Sequence, residues 1–65
     1  MSYRSGDLVE FTTDNGGRVK TVVGILYRVC QKSDPWPENI WYDWWVYTSE
    51  GLMSTRLIRM KRISP

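Results

Sequence analysis

Histidine is absent from these 65 residues, and cysteine occurs once, at Cys30. Without histidine, the side chain that shuttles protons near neutral pH is missing. One thiol allows no intrachain disulfide and, with no imidazole beside it, no zinc site. No run approaches the roughly 18 apolar residues that span a bilayer. Met1-Ser2-Tyr3-Arg4-Ser5 has no apolar leader core. No segment of useful length carries a helical period, and there is no repeat, linker or low-complexity tract. Gly16-Gly17 lacks the Lys-Ser/Thr continuation of a phosphate loop. The carboxylates Asp7, Glu10, Asp14, Asp34, Glu38, Asp43 and Glu50 are scattered, mostly in turns. Cys30 reads as a buried or half-buried free thiol at a strand end. The expectation is a soluble, cytoplasmic chain that is not an enzyme and uses no metal or cofactor.

What is present is aromatic. Four tryptophans, four tyrosines and one phenylalanine sit in a single-domain length. A chain this short buries only about 60% of its unfolded surface. Its reinforcement must come from large rings, from a partner or from self-association. Three of the tryptophans lie in Ile40–Gly51, a stretch that ends in the turn Ser49-Glu50-Gly51. Aromatic and β-branched content predicts a strand over Ile40–Thr48, about 30 Å long at roughly 3.3 Å per residue. That length requires a bend or bulge, placed near Asp43. Trp44, Val46 and Thr48 share one face; Trp45 and Tyr47 share the other.

The remaining elements follow from alternation and turn chemistry. After a turn at Ser5-Gly6-Asp7, Leu8–Thr12 is a strand with Val9 and Phe11 inward. Asp14-Asn15-Gly16-Gly17 is the strongest turn signal, making Thr13–Lys20 a polar loop or irregular hairpin. Thr21–Cys30 is a second strand. Val23, Ile25, Tyr27 and Val29 form one of its faces, and Val22, Leu26 and Arg28 the other. Gly24 marks a bulge, a coil or a close backbone approach. Pro35 and Pro37 hold Trp36 on a stiff extended loop. Leu52–Ser54 is a fourth strand, Thr55-Arg56-Leu57 one turn of 3-10 helix, and Ile58–Ile63 a last strand. Five short strands in 65 residues imply an all-β, small antiparallel barrel. The expected core is Val9, Phe11, Val23, Ile25, Trp44, Val46, Leu57, Ile58 and Met60.

Gly6-Asp7-Leu8-Val9, Val23-Gly24-Ile25-Leu26, Trp45–Gly51 and Leu57-Ile58 together resemble the small SH3-like barrel proteins of tailed phages, especially those infecting cyanobacteria. The likeness runs from Gly6 to Ile63. It departs at Thr48, where tryptophan often precedes the turn in that group. It implies an SH3-like barrel, a host-cytoplasm location and no assigned activity, so it carries over no functional residue.

Two surfaces are candidates for binding. A small barrel has room for one or two large rings, so at least one indole must lie outside the core. Trp36, Trp41, Trp45 and Tyr47 are the expected contacts of a protein-interaction module, with self-association as one form of it. Folding of Trp36 over Trp41 or Trp45 as a satellite core is the competing structural use. The alternative reading is a nucleic-acid- or RNA-polymerase-binding barrel of KOW or Tudor type. Its phosphate-facing stripe would be Arg56, Arg59, Lys61 and Arg62, with Arg18, Lys20 and Arg28. Charges on the last strand also serve to block edge-to-edge pairing.

Overall fold

A computed structural model describes residues 3–64; Met1, Ser2 and Pro65 lie outside them. Five antiparallel strands form one sheet: β1 (Leu8–Asn15), β2 (Arg18–Val29), β3 (Trp44–Thr48), β4 (Gly51–Thr55) and β5 (Met60–Ser64). A short helix α1 (Glu38–Trp41) precedes β3, and one 3-10 turn (Leu57–Arg59) precedes β5. The strand order is β4-β3-β2-β1-β5. The sheet and its connections form the small all-β, barrel-like globule expected from the turn spacing, 29 × 28 × 21 Å in extent.

Turn chemistry sets the first hairpin. Gly16 and Gly17 both take positive φ, 63° and 86°, which suits the right-handed twist of the flanking strands. The ladder therefore runs without interruption to Asn15↔Arg18. Thr13–Lys20 is regular hairpin rather than polar loop. At the other end of β1, the Gly6-Asp7 turn clips onto β2. Gly6 N–H donates to the Leu26 carbonyl (2.8 Å), and Leu26 N–H donates to that of Asp7 (2.9 Å).

The core is built from one face of four of the five strands: Val9 and Phe11 of β1, Val22 and Leu26 of β2, Val46 of β3, and Met60 of β5. Trp44, Met53 and Tyr3 pack against it, half-buried. The expected set needs correcting in two places. In β2 the inward face is Val22-Gly24-Leu26; Val23 and Ile25 point outward and are exposed. A Cβ on Gly24 would run into the Tyr47 carbonyl and lie 2.7 Å from Val46 Cγ1. The glycine is what lets β3 approach on the inner side, and packing there fixes the face. Leu57 and Ile58 are also exposed, because the 3-10 turn covers 57–59 and β5 starts only at Met60.

The aromatic stretch breaks in two. Ile40 and Trp41 belong to α1, and the strand runs only from Trp44 to Thr48. Asp43 makes the junction. Its N–H donates to the Thr55 carbonyl, its carbonyl accepts from Cys30 N–H, and its Oδ2 accepts from Leu57 N–H (2.8 Å). The bulge lies elsewhere, in β2, where the register with β3 shifts between Leu26 and Arg28. Tyr27 is the additional residue.

Candidate functional site

Register places an apolar row straight across the outer face of the sheet. Leu8 of β1 faces Ile25 of β2, Ile25 faces Tyr47 of β3, and Tyr47 faces Leu52 of β4. Directly opposed side chains point to the same side of a sheet. Ile25 is 41% exposed and Tyr47 52%; Leu52 and the flanking Val23 and Tyr27 are exposed too. Tyr27 packs on Tyr47 with ring centroids 4.9 Å apart and planes tilted by 51°. Strand alternation signalled the outward Tyr47. It missed Ile25 and Val23, because those residues were assigned to the core, and Tyr27, which was placed on the same strand face as they were.

Past the bulge, Arg28 comes to the outer side opposite Trp45. Its guanidinium lies over the rings of Tyr27 (5.6 Å) and Trp45 (6.0 Å). Asp34 holds it in a two-pronged ion pair, Nη2 to Oδ1 at 2.6 Å and Nη1 to Oδ2 at 3.0 Å. Asp34 Oδ2 also accepts from the Trp45 indole N–H (2.9 Å) and Gln31 N–H (2.7 Å). Hydrogen bonds from Arg28, Gln31 and Trp45 hold this carboxyl well below the usual carboxylate range, and the same pairing raises the Arg28 pKa. Trp45 is thus a half-buried, anchored ring. Burial, then the Asp34 charge, pushes the Cys30 thiol up to about 11, away from nucleophilic form.

The other two expected contacts form a separate pair. Trp36 and Trp41 pack as a tilted pair, with centroids 5.1 Å and planes 58° apart, and they remain 65% and 50% exposed. Folding one indole over the other does occur, yet it leaves both open to water. The Trp36–Pro37 peptide between them is cis. Trp41 is tied to the start of the 3-10 turn, where Arg56 Nε donates to its carbonyl (2.8 Å).

The expected basic stripe is broken only in part: Arg62, Lys20 and Arg28 are drawn off into ion pairs, while Arg56, Arg59 and Lys61 stay along adjoining depressions. Arg62 lies opposite Val9 and pairs with the buried Asp7 (3.1 Å), over the ring of Tyr3 (5.2 Å). Lys20 pairs with Glu50 (2.7 Å), and Arg28 is committed to Asp34. Lys61 stands across from Glu10. Arg56 and Arg59 converge instead on a cleft of about 360 Å³ that also takes in Thr13, Asp14, Tyr42 and Thr55.

Among the described residues no cluster of ligating side chains could hold a metal ion, and no helix is long and apolar enough to cross a membrane. Searches of family models, curated proteins and solved structures find no match to this chain.

Proposed function

We propose that this chain is a non-enzymatic protein-interaction module that docks through the outer face of its sheet, with a second copy of itself as occupant. The observation that carries this reading is the cross-strand row Leu8–Ile25–Tyr47–Leu52, widened by Val23 and Tyr27. Apolar side chains held on a rigid sheet lose water on docking without the cost of ordering a loop. A self-complementary patch related by a two-fold axis is the simplest way for identical chains to use such a face. Its margins suit a like partner, since Lys61 opposes Glu10 and Lys20 is neutralised by Glu50. Covering the patch would also reinforce a domain whose own core is small. The non-enzymatic part rests on the missing histidine and on a thiol kept protonated at neutral pH.

Sedimentation velocity across the micromolar to millimolar range tests the reading. The wild-type mass should rise toward that of a dimer, and Ile25→Glu should stay monomeric with an unchanged circular dichroism spectrum. A wild-type chain that is monomeric throughout removes self-association.

A further inference from the structure

We infer a second binding site, for single-stranded nucleic acid, where the Arg56–Arg59 cleft meets the exposed Trp36–Trp41 pair. The cleft shares no lining residue with the sheet row, so this inference stands apart from the self-docking face. Its volume of about 360 Å³ is enough for a nucleotide-sized group, and hydroxyls of Thr13, Tyr42 and Thr55 line it beside the two guanidiniums. One carboxylate, Asp14, is also present, and it already accepts the Gly17 N–H (3.1 Å) across the hairpin turn. Two guanidiniums against one carboxylate leave the cleft positive.

The guanidiniums are free to act. Arg56 spends only Nε, on the Trp41 carbonyl, so both terminal nitrogens remain. Among the described residues the Arg59 side chain has no hydrogen-bond or ion-pair partner. Arg59 also borders an adjoining depression of about 130 Å³ whose lining holds Lys61, a third cation within reach of the strand, with Glu10 opposite it partly offsetting its charge. Planar, two-pronged guanidiniums bordered by hydroxyls match the oxygens of a phosphodiester.

The tryptophans give the site its selectivity for unpaired strands. The Arg56 Nε–Trp41 carbonyl bond ties the Trp41 main chain to one of the cleft's arginines, and Tyr42, next in sequence, is part of the lining, so the chain that carries the indole pair runs beside the cleft. Two indoles at 65% and 50% exposure offer open faces to a base whose phosphate sits at Arg56 or Arg59. Stacking of this kind needs a base free of its duplex, and it tolerates any sequence because every base has a π-face.

The test is a titration of a labelled mixed-sequence oligonucleotide, as single-stranded DNA, single-stranded RNA and duplex DNA, followed by anisotropy and by tryptophan fluorescence. Both single strands should bind and quench the tryptophans, and the duplex should bind more weakly without quenching. Three phosphate contacts at a slope of about −0.7 each predict roughly 20-fold weaker binding at about 200 mM salt than at about 50 mM. Trp36→Ala, which removes an exposed ring, should cost about ten-fold or more in affinity. Arg59→Glu should weaken binding and flatten the salt dependence. Ile25→Glu, altered on the sheet face, should bind as the wild type does, so failure of the dimer leaves this result readable. No binding at the lower salt, binding without quenching, or indifference to Arg59→Glu in a folded chain would overturn the inference.

Discussion

The two faces of β2 are the instructive contrast. One carries Val22, Gly24 and Leu26 and is buried; the other carries Val23, Ile25 and Tyr27 and meets water. By side-chain composition the exposed face is the more apolar of the two. Packing chose the other because it contains the glycine. With no Cβ at position 24, the β3 backbone at Tyr47 closes onto β2, and Val46 drops into the core beside Leu26. Burial of this strand was decided by how near its neighbour can come, and hydrophobicity alone would have turned it over. The apolar surplus left outside is the surface argued above to hold a second copy.

The most damaging test of this contrast is Gly24→Ala. The added methyl meets a backbone carbonyl, which no side-chain rotation can relieve, and a methyl of the fully buried Val46. Overpacking of this sort usually costs about 1–3 kcal/mol, and here the upper end or beyond is expected because the obstacle is main chain. A domain of this size has only about 3–10 kcal/mol in hand. Loss of the β-sheet circular dichroism signal, or a steep fall in the urea midpoint, is the expected result.

Next in size is the adjacent pair Leu26→Ala and Ile25→Ala. Leu26 is 2% exposed, so its truncation should cost about 2–5 kcal/mol. Ile25 should cost well under half of that in the monomer, measured by urea unfolding at low concentration. Equal losses would mean that both faces are buried in solution, as they would be in a tight dimer.

Tyr47→Ser sharpens the contrast at the level of association. An aromatic anchor typically contributes about 2 kcal/mol or more and a two-fold dimer loses it from both copies, so the dimer should weaken about a thousand-fold while the urea midpoint of the monomer moves little. Tyr27 loses its ring partner in this variant. A near-ultraviolet circular dichroism change confined to tyrosine would confirm that the fold persists.

A smaller effect separates the anchored Trp45 from the open Trp36–Trp41 pair. Because the folded-state pKa of Asp34 is depressed, its contribution to stability is present above the ordinary carboxylate value of about 4. It is lost as pH falls through the lower folded value. The urea midpoint should therefore decline on acidification, and Trp45 fluorescence should change as its N–H loses the carboxylate. Asp34→Asn should flatten this part of the decline. The smallest effect concerns Cys30. With its thiol pushed up to about 11, alkylation at mildly alkaline pH should run slower in the folded chain than in urea.

Much of this molecule was written locally. The Asn15-Gly16-Gly17 turn, the Ser49-Glu50-Gly51 turn and the alternation of Trp44, Trp45, Val46 and Tyr47 each follow from neighbouring residues, because turn type and side-chain period are properties of short segments. So did the prospect of an indole outside the core, since three tryptophans so close in sequence could not all turn inward. The absence of histidine and the lone cysteine were equally plain. Which face of β2 is buried was not legible, because it depends on contact with Tyr47 and Val46, residues more than twenty positions away. An interruption near Asp43 was expected from strand length, but not that Ile40 and Trp41 would leave the strand for a helix, since the junction is held by Cys30, Thr55 and Leu57 together. The partner of each arginine was decided in the same way. Arg62 went to Asp7, Arg28 to Asp34, and Arg59 to an open cleft, because a charge is paired only when the fold brings a distant carboxylate within reach.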